Sequence, residues 1–386
     1  MVAFIYKEEI LQTDASHDVQ RSAVPQTRAL IQNHVQGFEL LKIYIVNLIL
    51  MVLTLGIYRF WGKTRLRRYI WGNLEIMGDR LEYSGTGKEL FMGFLVVFFL
   101  ILFPLFAAIG LIDGLLANEH EQARVVLGIS QGLIIVFLVG VAFFRARRYR
   151  LTRTHWRGIY SSQTGSSVKY GLMAIASYAA TALTLGLAWP VCSVWLKRYE
   201  MKHTWVGDEP FDFSPSVKKL YRPFLVVWGI GALYMFGVWN TAGSIGNLEA
   251  IFNSVEAGGQ PNPDMVLELF NMIIAMYLGL IPIGLAFLWY RGRAYNHFIS
   301  STQFHGHALT STNTGFGFMW LTVGNSLLVF FTLGLALPWA IKRYLNFVER
   351  HVGLVGDGDF SQLLQSTQER PSHGEGLADA FDVGGI

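Results

Sequence analysis

Apolar positions in this chain fall mostly in long unbroken runs. Leu90–Ile112, Val125–Phe144, Phe224–Asn247 and Leu269–Tyr290 contain no Asp, Glu, Lys or Arg. Each reaches the roughly 20 residues a helix needs to cross the hydrocarbon core of a bilayer. With apolar side chains on every face, they predict four transmembrane helices. Pro104 and Pro282 lie inside two of them, which helices in lipid tolerate where neighbours re-satisfy the freed backbone.

Three further apolar segments break in the same way. "LTLGIYRFWGKTRLRRY" begins at Leu53, "LTLGLAWPVCSVWLKRY" at Leu183 and "FTLGLALPWAIKRY" at Phe331. Two residues before each central glycine (Gly56, Gly186, Gly334) stands a threonine, Thr54, Thr184 or Thr332. Nine before it stands Asn47, Ser177 or Asn325. A second glycine, followed each time by Asp, comes 22, 21 and 22 residues later, at Gly78, Gly207 and Gly356, and aromatic residues follow it. Upstream, short polar pieces end at Gly37, Gly158 and Gly306, which lie 19, 28 and 28 residues before the central glycines. Matching intervals at several positions predict a module present three times. The polar pieces around the Gly-Asp pairs read as short β-hairpins.

Composition agrees with a membrane protein: 52% of residues are hydrophobic and only 15% charged, with a mean hydropathy of +0.36. Residues 1–38 lack an apolar core followed by a cleavage site, so no signal peptide is expected. Cys192 is the only cysteine, which excludes an intrachain disulfide.

The stretch 53–95, from "LTLGIYRFWGKTRLRRYIWG" through "MGDRLEYSGTGKELFMGFL", resembles the YjgN-like family of bacterial inner-membrane proteins. The likeness extends from about Gly37 to Phe360. It implies a location in the bacterial cytoplasmic membrane and no particular activity, so no functional residues carry over from it.

The expected fold is an α-helical polytopic membrane protein with three internal repeats. It has four full transmembrane helices, three broken or re-entrant LTLG segments and small cytoplasmic β-hairpin elements. Its parts are repeat 1 at 1–89, a transmembrane hairpin at 90–144, repeat 2 at 145–223, a second hairpin at 224–290, repeat 3 at 291–362 and a disordered tail at 363–386.

Charge bears on topology. Lys and Arg collect on the cytoplasmic side of short loops. Loop 113–124 holds Arg124 beside Asp113, Glu119 and Glu121, and loop 248–265 holds no basic residue. Both read as external. Basic residues flank every LTLG segment on both sides. If those segments re-enter the membrane, the chain crosses four times, both termini are cytoplasmic, and all of the 31 basic residues except Arg124 lie inside. Kinked spanning helices or helices lying at the interface are the alternatives. Pro190 and Pro338, four residues past their glycines, favour a break. Phe60 at the same place in the first copy predicts a softer one.

Candidate chemistry is sparse. Asn47, Thr54, Gly56, Ser177, Thr184, Gly186, Asn325, Thr332 and Gly334 would line a shared polar path if the three breaks meet, or would serve close helix packing. The Asn and Ser positions are also suited to bonds between modules. Lys63, Arg65, Arg67, Arg68, Arg145, Arg147, Lys197, Arg198, Arg291, Arg293, Lys342 and Arg343 are suited to contact with anionic lipid or anionic solutes, although plain topology explains the same composition. His34, His155, His297, His305 and His307 lack the convergent ligands of a metal site. Cys192 has no base beside it. No catalytic residue, cofactor or metal is expected, and a folded basic domain for nucleic acid is absent. The leading expectation is a channel or transporter for small anionic or neutral solutes. A non-transporting scaffold or lipid-handling envelope protein is the alternative.

Overall fold

The four long apolar stretches extend into helices α3 (Gly87–Leu116), α4 (Glu121–Thr152), α7 (Val217–Asn240) and α8 (Pro263–Ile299). The computed structural model describes residues 28–116, 121–240, 253–256, 262–356, 360 and 363–365. Parts of the 113–124 and 248–265 loops, Asp357 and residues 366–386 of the tail lie outside the described residues. In α3 a π-helical turn at Phe98–Leu102 precedes Pro104. It absorbs the register change that proline's missing N–H imposes.

The three LTLG segments form paired helices: α1 (Gly37–Leu53) with α2 (Arg59–Gly72), α5 (Ser167–Leu183) with α6 (Trp189–Lys202), and α9 (Gly315–Phe331) with α10 (Leu337–His351). Helices pack chiefly on their neighbours in the chain, and α10 returns to α1. There Ile341 and Leu345 join Val35, Leu40 and Ile70, and Asn33 Nδ2 donates to Asn346 Oδ1 at 2.6 Å. Close approach needs small residues, as is usual between membrane helices. A Cβ on Gly140 would sit 2.9 Å from Ala174 Cβ, and one on Gly292 would sit 3.0 Å from the Gly315 backbone.

The strands do not stay as separate small hairpins. They are β1 (Arg28–Ala29), β2 (Ile31–Asn33), β3 (Leu74–Ile76), β4 (Asp79–Tyr83), β5 (Thr154–Trp156), β6 (Ile159–Gln163), β7 (Thr204–Val206), β8 (Glu209–Phe213), β9 (Thr302–Phe304), β10 (His307–Ser311) and β11 (Val352–Val355). They join in one sheet of order β1-β11-β10-β9-β8-β7-β6-β5-β4-β3-β2, antiparallel at each pairing. The two ends of that order, β1 and β2, are separated in the chain only by Leu30. The sheet therefore nearly closes on itself through one bent strand.

Side-chain alternation gives the sheet two unlike faces. Leu81, Trp156, Ile159, Val206, Phe211 and Phe304 share one face with Phe360 and Leu363. Glu75, Arg80, Glu82, His155, Asp212 and Gln303 take the other. Phe360 touches both Trp156, at 5.6 Å between ring centroids, and Phe304, at 6.2 Å. In a flat sheet those two side chains would be about 19 Å apart, at about 4.8 Å per strand. The apolar face is therefore the inside of the curl. Leu363, which composition assigns to the tail, is buried there. Gln365 Nε2 donates to the Gly158 carbonyl at 2.9 Å, and Leu364 N–H to Asp208 at 3.0 Å.

Every helical hairpin stands on this sheet with the same base. At the short hairpins, His34, Thr164 and Thr312 donate backbone N–H bonds to the carbonyls of Asn73, His203 and His351, each at 2.9 Å. At the long hairpins, Ser84 donates to Arg153 at 2.9 Å and Ser214 to Ser301 at 3.1 Å. The base residues lie 22 before and 17 after the central glycine in all three short hairpins. This corrects the uneven upstream spacing. Gly37 opens a helix, where its counterparts are Ser167 and Gly315, whereas Gly158 and Gly306 sit in β-turns at φ +74°.

Candidate functional site

The breaks have one geometry. Leu55, Leu185 and Leu333 adopt left-handed φ of +51°, +48° and +49°, followed by Gly56, Gly186 and Gly334 at +90°, +93° and +90°. A leucine there costs about 1–2 kcal/mol, so something must hold it. The holding bonds are the same each time. Gly56, Gly186 and Gly334 N–H groups reach back five residues to Met51, Thr181 and Val329, at 2.7 to 2.8 Å. Each threonine hydroxyl donates to the carbonyl four residues earlier at 2.7 Å. It also accepts the N–H four residues later, from Tyr58 and Ala188 at 2.9 Å and from Ala336 at 3.0 Å.

As a result, each backbone N–H from Thr54 to Arg59 has a partner, and the same holds for 184–189 and 332–337. The tips are nonetheless bare: Leu55 is 94% exposed, Leu185 82% and Leu333 94%. An apolar tip whose backbone N–H groups are all bonded suits hydrocarbon, where an unsatisfied polar group costs several kcal/mol. The first copy breaks at the same φ values as the others although it has Phe60 for proline. Threonine and glycine make the break, and the prolines only start the next helix.

Asn47, Ser177 and Asn325 stand between the arms of their own hairpins rather than between modules. Asn47 Nδ2 donates to the Gly62 carbonyl at 3.2 Å and Asn325 Nδ2 to that of Ala340 at 3.1 Å. Serine is too short to repeat this, and buried Ser177 Oγ has no partner. Ser177 lines one large cavity and Asn325 a smaller one, while the threonines and glycines of the breaks stay at the tips.

The large cavity measures about 820 Å³ and lies between the helix layer and the inner face of the sheet. Its walls carry Ser177, Thr181, Cys192 and Ser193, and its floor Phe211, Phe213 and Thr302. A smaller cavity of about 380 Å³ lies against Trp71, Leu74 and Asn325. Tyr295 lines the first and Tyr344 the second, and the two phenols are close enough to influence each other.

The polar edge of the large cavity is a charge cluster. Glu200 is only 4% exposed. It accepts from Tyr170 Oη at 2.7 Å and Lys197 Nζ at 2.9 Å, with Arg147 Nε at 3.9 Å. Arg147 also donates to Thr204 Oγ1 at 3.3 Å. Two cations face one carboxylate; Lys197 and Glu200 line the cavity and Arg147 stands outside its lining. A lone glutamate in a basic helix end was visible in the sequence, but its partners lie on other elements. Nearby, His203 meets Thr164 Oγ1 at 3.1 Å. Burial holds its imidazole below the usual histidine pKa, and Lys202, Lys169 and Arg148 add to this.

Of the basic residues proposed for lipid or anion contact, three turn inward. Arg67 is 1% exposed and donates to Tyr83 Oη at 3.1 Å, and Arg147 and Lys197 serve Glu200. Arg65, Arg68, Arg145, Arg198, Arg291, Arg293 and Arg343 are exposed, and Lys63 and Lys342 half-buried.

Residues 31–380 match the family described as a bacterial protein of unknown function (DUF898). Three curated relatives carry the name inner membrane protein YjgN. That of Escherichia coli O157:H7 is 23% identical over 385 residues, covering 88% of this chain and 92% of its own length. That of Salmonella typhimurium LT2 is 23% identical over 384 residues, covering 87% and 90%. That of Escherichia coli K12 is 22% identical over 385, covering 88% and 92%. No solved structure matches.

Proposed function

Since this chain belongs to the DUF898 family of bacterial proteins, whose function is unknown, we propose a reading from its own geometry. It is an inner-membrane transporter-type protein that takes a small amphipathic solute, neutral or anionic, into the cavity under its helices. Four helices cross the membrane, three repeated hairpins re-enter it, and the sheet with both termini faces the cytoplasm. The basic helix ends on the sheet side support that orientation.

The observation that carries the functional reading is the large cavity. Its apolar walls suit a hydrocarbon moiety, and the Lys197–Glu200 pair at its edge, with Arg147 as a second cation on Glu200, suits a single carboxylate or a neutral polar group. The Tyr295–Tyr344 pair stands between this cavity and its neighbour, where it would act as a constriction. The test is uptake by proteoliposomes across a panel of small amphipathic anions and neutral solutes, with Ser193→Trp filling the cavity. Uptake of one class, lost in Ser193→Trp while thermal stability is kept, is the expected result. No uptake of any member, with phospholipid retained in the cavity, would favour a lipid-handling role instead.

A further inference from the structure

The feet of the two long hairpins differ in charge at matching positions. In the α3–α4 foot, Glu89 lies five residues after the base residue Ser84. It accepts from Tyr149 Oη at 2.6 Å and Arg153 Nε at 3.1 Å. In the α7–α8 foot, five residues after Ser214, stands Lys219, and the place of Tyr149 is taken by His297.

Lys219 is not alone. Lys218, Lys219 and Arg222 from the start of α7 and Arg293 and His297 from the end of α8 share a groove of about 620 Å³. No carboxylate lines that groove. None of its four lysine and arginine side chains makes an ion pair among the described residues. The first foot sets Glu89 among its cations and pairs it with Arg153, and the second has a further cation, Lys219, where that acid would stand. Like charges gathered this way repel, and a bound anion relieves them.

The position narrows the anion. The groove sits at the sheet-side ends of two spanning helices, where lipid headgroups lie. Leu225 and Val226, half-exposed just beyond it on α7, offer a path for acyl chains. We propose that this groove binds the phosphate group of an anionic phospholipid in the leaflet next to the sheet. The chemistry recognised is a phosphate oxyanion, and a soluble phosphate is the competing source.

The test uses the full chain in mild detergent, offered phosphatidylglycerol or phosphatidylcholine and weighed by native mass spectrometry. Wild type should retain phosphatidylglycerol in preference. Glutamine at Lys218, Lys219 or Arg222 should weaken retention on the order of fivefold for each cation removed. Lys219→Glu recreates the arrangement native to the other foot and should lose retention while keeping its melting temperature. Lys202→Gln, an exposed cation elsewhere on the sheet side, should behave as wild type. Equal retention by wild type and Lys219→Glu, or equal loss in Lys202→Gln, overturns the site. Displacement of the lipid by low millimolar inorganic phosphate overturns the lipid assignment in favour of a soluble ligand.

Discussion

Short and long helical hairpins rise from the same sheet through the same backbone base, yet they end in opposite chemistry. Helices α3 and α8, of 30 and 37 residues, are about 45 and 55 Å long at 1.5 Å per residue, well beyond the roughly 30 Å of hydrocarbon. Past the apolar part of the first long hairpin, Arg124 pairs with Asp113 at 3.2 Å, as groups in water do. Helices α1, α5 and α9 have 17 residues each, about 25 Å, and end in bare leucines over backbone N–H groups that are all bonded. Length and tip chemistry vary together. That covariation is why the short hairpins are read as re-entrant and the long ones as spanning.

The largest expected effect separates a short hairpin foot from a long one. Glu200→Ala leaves Arg147 and Lys197 without their carboxylate at a buried site, and should cost about 3–5 kcal/mol. Glu89→Ala acts on a side chain 30% exposed and should cost about 1.5–3 kcal/mol, as for one hydrogen-bonded charge. Unfolding followed in detergent measures both, and equal losses would erase the distinction.

Next come the tips. Thr54→Val, Thr184→Val and Thr332→Val each orphan one N–H and should cost about 1–3 kcal/mol, with serine at the same positions restoring most of it. Three unequal losses would break the equivalence of the tips. Asn47→Ala and Asn325→Ala should cost about 1 kcal/mol, and Ser177→Asn should gain about as much by bonding to the carbonyl of Cys192. The smallest effect is with pH. His203 is held below the ordinary histidine value, so its contribution is complete above pH 6.5. It fades as pH falls through the lowered pKa, because the unfolded chain takes up the proton more readily. His203→Gln should flatten that slope in a pH series of melting temperatures.

Much of the architecture was legible because it is local. The four long helices follow from unbroken apolar runs, and the breaks from Thr-x-Gly. The nearly closed sheet was not legible, because its pairings join residues far apart, such as Arg28 with Leu354 and Leu81 with Trp156. Three-residue strands such as β3 and β5 show little alternation of their own. Gly37 misled for a related reason: one residue type serves a helix start in one place and a β-turn in another. The threonines signalled a site, but a hydroxyl bridging four residues each way is a backbone role that composition cannot distinguish from a lining one. Glu200 was visible only as a lone acid, since Tyr170 and Arg147 reach it from other helices.

The central claim is that the short hairpins turn back within the bilayer. It is tested most directly by Leu55→Cys, Leu185→Cys and Leu333→Cys in a Cys192→Ser background, labelled in spheroplasts with a membrane-impermeant maleimide. Leu115→Cys, at the far end of α3, serves as the exposed reference. Leu115→Cys should label rapidly from outside and the three tips not at all. Labelling of the tips at the rate of Leu115→Cys would place them in water beyond the membrane and contradict the claim.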